Sequence, residues 1–145
     1  MNDILEKYPH ATEVVRDWFI AKMEESFKDT AVPDNFKEFM RQQGVPNDRL
    51  ITLFKDNPRV LFDVFDDNGV IINIMYHDNI FTWDVTYTKS EVPYGVKSVD
   101  IYSSRRIAEK HAVERAFQIL NDKLNITLNE GQDSTTSDRE IPTEE

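Results

Sequence analysis

At 145 residues, with 39% hydrophobic and 11% aromatic content, the chain has the length and apolar material for one folded domain with a core of its own. It carries no cysteine, which excludes disulfides, thiolate metal sites and thiol nucleophiles. Twenty-seven acids against seventeen lysines and arginines give a net charge of −10, which works against nonspecific attraction to nucleic acid or an anionic membrane.

The N-terminus, MNDILEKYPH, has no basic stretch followed by an apolar run, and no segment reaches the ~20 apolar residues that span a bilayer. A cytoplasmic protein is expected, or a virion protein if the origin is a phage. Residues 2 to 8 form a helical turn or an extended arm before Pro9 breaks the backbone. Ala11 to Phe27 reads as a helix whose apolar residues spread over more than one stripe, so it needs cover on two sides. That cover comes from the N-terminal arm or from another subunit, and Trp18, Phe19 and Met23 are the candidate subunit contact. Asn35 to Gln43 is a shorter helix with Phe36, Phe39 and Met40 on one side and Gly44 as its stop. Asn47 then caps a helix from Asp48 to Lys55, with Leu50, Ile51, Leu53 and Phe54 as its buried set.

After Asn57 the apolar period changes from 3.6 to 2, and residues 59 to 102 are rich in β-branched and aromatic types. Arg59 to Phe65 is read as a strand, Asp66-Asp67-Asn68-Gly69 as a hairpin turn, and Val70 to Tyr76 as the returning strand. His77-Asp78-Asn79 turns the chain again. In the next strand Phe81, Trp83, Val85 and Tyr87 alternate with Thr82, Asp84 and Thr86, the pattern of an antiparallel sheet covered on one face. Glu91 to Gly95 is a loop, and Val99 to Tyr102 a last short strand.

Ser103 to Asn125 is a long amphipathic helix, with a serine at its start to cap it and no Gly or Pro inside. Ala108, Ala112 and Ala116 come first on its apolar face and Phe117, Leu120 and Leu124 last. Its five bases against three acids make it a basic island on an acidic body. Residues 126 to 145, with six acids and one arginine, read as a disordered acidic tail. The expected fold is α+β: residues 1 to 125 form a single domain, with a helical part over 1 to 57 and an antiparallel sheet of three or four strands plus the C-terminal helix over 58 to 125.

No catalytic or cofactor signature stands out. A calcium loop centred on Gly69 would put Val64 and Met75 at two obligatory oxygen positions. His10, His77 and His111 are scattered, there is no Gly-x-Ser-x-Gly elbow, and four glycines in the whole chain do not build a phosphate loop. No metal, no cofactor and no enzymatic activity are expected.

The helix start, Ser104-Arg105-Arg106-Ile107-Ala108-Glu109 followed by Ala112 and Ala116, resembles the opening of the C-terminal helix in the double-stranded RNA-binding domain. The resemblance covers about Asn47 to Leu120. It implies an α-β-β-β-α core with both helices on one face of the sheet, and Arg105, Arg106 and Lys110 on phosphates. In this chain Glu109 takes the place of the motif's third base, and the turn read between the first two strands is acidic. The expected function is therefore a non-catalytic assembly or adaptor subunit that binds other protein subunits, as in a phage or other multiprotein complex, with Arg105, Arg106 and Lys110 as the candidate partner-binding residues. Duplex RNA binding through the same residues is the alternative.

Overall fold

A computed structural model of the protein describes residues 1–28 and 31–133, the last seven as backbone. The N-terminal arm is a helix, α1 (Asn2–Lys7), and Pro9 opens α2 (Pro9–Lys28), where its missing N–H costs no intrahelical bond. Thr12, buried, shares its hydroxyl proton between Leu5 O at 2.8 Å and Tyr8 O at 2.9 Å, which fixes the angle between the two helices. α3 (Asp34–Gln43) and α4 (Asn47–Asp56) follow. The apolar side of α3 is open, with Phe36 47% and Phe39 54% exposed. α3 is held instead by Arg41 on Glu24 at 2.7 Å and by the Phe27–Phe36 ring contact. In α4, Leu50 and Phe54 are buried and Ile51 half-buried, while Leu53 turns outward. Pro46 takes the N-cap position, and Asn47 Oδ1 accepts from the Arg16 guanidinium rather than capping.

The segment read as the first strand is a fifth helix, α5 (Arg59–Asp67), so the helical part extends to residue 67. Its buried residues, Leu61, Val64 and Phe65, recur at a spacing of three and then one, which fits one face of a helix, while Asp63, Asp66 and Asp67 lie on its more exposed side. Asn68-Gly69 is accordingly a helix stop and not a hairpin turn. Asn68 N and Nδ2 donate back to the last turn, and Gly69 adopts φ +77°, a conformation that L side chains rarely hold. A Cβ at Gly69 would also meet the Lys89 side chain at 2.6 Å.

The sheet has the order β1-β2-β3, all antiparallel: β1 (Val70–His77), β2 (Ile80–Tyr87) and β3 (Tyr94–Lys97). Asp78 and Asn79, at φ +48° and +63°, make the two-residue turn between β1 and β2. Trp83 and Val85 face inward as their alternation with Asp84 requires. The expected last strand, Val99 to Tyr102, is displaced toward the N-terminus, into the segment read as a loop. β3 pairs through Lys97, Ser98 exchanges bonds with Trp83, and the chain then bulges outward, leaving Val99 99% and Ile101 63% exposed before Tyr102 rejoins at Phe81.

α6 (Arg105–Asp133) covers the inner face of β1 and β2 and carries α2 on its other side. Ala108, Ala112 and Ala116 are fully buried, which lets neighbouring layers approach closely, and Phe117 packs edge-on against Phe65 at 5.1 Å. The architecture is thus α+β, a three-stranded antiparallel sheet with α5 before it and α6 after it, preceded by an N-terminal helical part. The helix also runs past Asn125 to Asp133, so the tail does not begin at 126. No proline interrupts this stretch, and the single Gly131 costs a helix only ~1 kcal/mol. The disorder expected for residues 134 to 145 lies outside the described residues.

Candidate functional site

Asn57-Pro58 separates α4 from α5, and the start of α6 contributes to the same opening as both. Between them lies a cleft of about 510 Å³, to which α1 adds Ile4. Phe54, Leu61 and Val113 give it a buried apolar floor, and Ile51, Phe62 and Ile107 lie above that floor. Ile107 is 48% exposed, an apolar side chain at the mouth with nothing over it. The size falls within the ~300–1,000 Å³ of ligand-binding clefts.

Four cations edge this cleft: Lys55 and Arg59 on the α4–α5 side, and Arg106 and Lys110 on the α6 side. All four are exposed, and no carboxylate of the described residues lies within 4.0 Å of any of them. The one acid in the lining, Glu109, is engaged by Arg105 Nε at 2.9 Å, an i,i+4 pair along α6. The first turn of α6 contains no acid, so Arg105 and Arg106 sit at the positive end of a helix dipole, where cations are disfavoured and an anion is favoured. An acidic chain thus concentrates unpaired positive charge around one apolar opening.

Of the three cations singled out in the sequence, Arg106 and Lys110 line the cleft and Arg105 is committed to Glu109. Lys55 and Arg59 were not singled out. Lys55 lies in the last turn of α4, whereas the part of Arg59 depends on its opening α5, and a strand from Arg59 would have carried it elsewhere.

Trp18, Phe19 and Met23 are half-buried, and none of them lines the cleft. Trp18 Nε1 donates to Asp67 Oδ2 at 2.7 Å, and Phe19 packs between Trp18 and Phe54, at 5.3 and 5.7 Å between ring centres. Two of the three are therefore covered in part by the chain itself, by the end of α5 as well as by the helices before it. Met23 lies with Ile20, Phe27 and Met40 in a separate depression of about 130 Å³ between α2 and α3.

Among the described residues, no three His, Asp or Glu side chains come together as a metal site. His77 lies 3.0 Å from Asp78 in the open β1–β2 turn, and His111 stacks on Tyr102 at 5.1 Å. Burial, followed by the charges of Asp63 and Asp67, raises the Asp66 pKa above its ordinary 3.8, at the end of α5. The turn between the first two strands is Asp78-Asn79 rather than Asp66 to Gly69, and it too offers a carboxylate where the resemblance to duplex-RNA binders calls for a groove contact. No helix of the described residues is long and apolar enough to cross a membrane. Comparison with protein-family models, curated proteins and solved structures finds no match.

Proposed function

We propose that the chain is a non-catalytic assembly or adaptor subunit, and that it engages a partner protein through the cleft between α4, α5 and the start of α6. The observation that carries this reading is the pairing of an open apolar floor with four unneutralised cations in a chain of net charge −10. Apolar area supplies the driving force for association, and a localised field of opposite sign to the rest of the body selects and orients an anionic partner. Duplex RNA would meet Arg106 and Lys110 but would lay phosphates over Ile107 and Phe62, which gain nothing from them.

A photo-crosslinking side chain at position 107, in the source cells, tests the reading. The expected result is one discrete protein adduct that disappears when Arg106 and Lys110 are both changed to Gln, and that does not form from position 97 on the outer sheet face. An RNA adduct from position 107, or equal capture from both positions, would contradict it.

A further inference from the structure

We infer that the occupant of the cleft is an acidic amphipathic helix of the partner, two or more turns long, with apolar side chains on one face and carboxylates along both edges of that face. This rests on the cleft being the partner-binding site proposed above. The cations come from separate elements around the opening, Lys55 from α4 and Arg59 from α5 against Arg106 and Lys110 from α6. A single-headed anion such as a fatty carboxylate would satisfy one side and leave the other uncompensated, so the arrangement calls for a ligand with several negative charges on two sides of an apolar strip.

Spacing points to a helix. Arg106 and Lys110 are four residues apart on α6, about 6 Å along its axis, which is also the rise between carboxylates at i and i+4 on a partner helix. Such a helix closes its own backbone hydrogen bonds and can enter an apolar cleft without presenting unsatisfied N–H and C=O groups. An extended segment would need strand partners, and the walls here are helices, whose backbone groups are already paired. The free N–H groups at the start of α6 would receive one of the partner's carboxylates.

A display library of random 16-residue peptides, selected against the full chain in about 150 mM salt, reads the occupant directly. The expected consensus has apolar residues at i, i+3 or i+4 and i+7, flanked by Asp or Glu, with helical circular dichroism in complex. Its affinity falls at least tenfold in Arg106→Gln/Lys110→Gln, and separately in Lys55→Gln/Arg59→Gln, while both variants keep the melting temperature of the parent. A proline-rich or extended consensus that competes for the same cleft would overturn the helix and leave the protein-binding reading standing. Peptides indifferent to both double changes, with palmitate or a 16-base-pair RNA duplex binding the cleft instead, would overturn both.

Discussion

Asn121, buried on α6, caps α2 from across the core: its Oδ1 accepts the backbone N–H of His10 at 2.9 Å, and that of Ala11 at 3.3 Å. Pro9 has no N–H to offer, so these are the first donors of α2 that need a partner, and the partner comes from 110 residues away for Ala11. One amide thereby joins the N-terminal helices to the helix that covers the sheet. Asn121→Ala should cost about 1–3 kcal/mol, since it leaves buried donors unsatisfied as well as removing a cap. Urea denaturation checks this through a lower midpoint at unchanged slope, and an unchanged midpoint would show that water replaces the cap without loss.

Trp83 lies 8% exposed beneath α6, with its Nε1 buried and without a protein partner. Trp83→Ala should cost about 3–5 kcal/mol. Trp83→Phe should cost clearly less, because it keeps an aromatic ring in the core while removing the unsatisfied donor. Asp84→Asn on the opposite face should cost under about 1 kcal/mol, since an amide oxygen can still accept from Asn73 Nδ2, now at 2.8 Å. Equilibrium denaturation of the three variants orders them.

What the sequence shows and what it hides divide along a physical line. The alternation from Phe81 to Tyr87 marks which face of β2 is covered, because one side meets α6 and the other meets water. The alanine-then-large order of the last helix is legible for the same reason. Arg59 to Phe65 is not: a short run of Val, Leu and Phe fits a buried strand or a helix, and its Leu61, Val64, Phe65 spacing decides only once Asn68-Gly69 is recognised as a helix stop. A strand there would also take Arg59 away from the cleft that Lys55, Arg106 and Lys110 line. Asn121 is invisible for a different reason: nothing local marks an asparagine within a helix as the cap of another.

Asp66 sits at the C-terminal end of α5, where the helix dipole disfavours a carboxylate, and burial raises its pKa, helped by Asp63 and Asp67. The folded state therefore binds this proton more tightly than the unfolded chain does. Ionised Asp66 is a small liability at neutral pH, and the liability disappears as pH falls through its raised pKa toward 3.8. Asp66→Asn should raise the melting temperature slightly at pH 7 and leave it unchanged at pH 3. A fall at pH 7 would assign Asp66 a stabilising contact.

Arg105 acts on the cleft through Glu109. Freed from Arg105, Glu109 would turn to Arg106 or Lys110 and compete with an acidic partner for them. Arg105→Gln should weaken binding of the selected peptide about three- to tenfold, roughly 0.7–1.4 kcal/mol, and adding Glu109→Gln should restore it. Isothermal titration of the two variants separates this from a direct contact of Arg105, which the second change would not rescue.

The proposed partner enters the cleft at α4, α5 and α6 and uses no other surface. Titrating the ¹⁵N-labelled full chain with an acidic amphipathic helix and following amide shifts tests this most directly. The largest shifts should fall at Ile51, Phe62, Arg106 and Lys110, and weaken as salt screens the four cations. Shifts centred on Phe36 and Phe39 of α3, or on Asn73, Asp84 and Lys97 of the outer sheet face, with the cleft residues silent, would contradict the account.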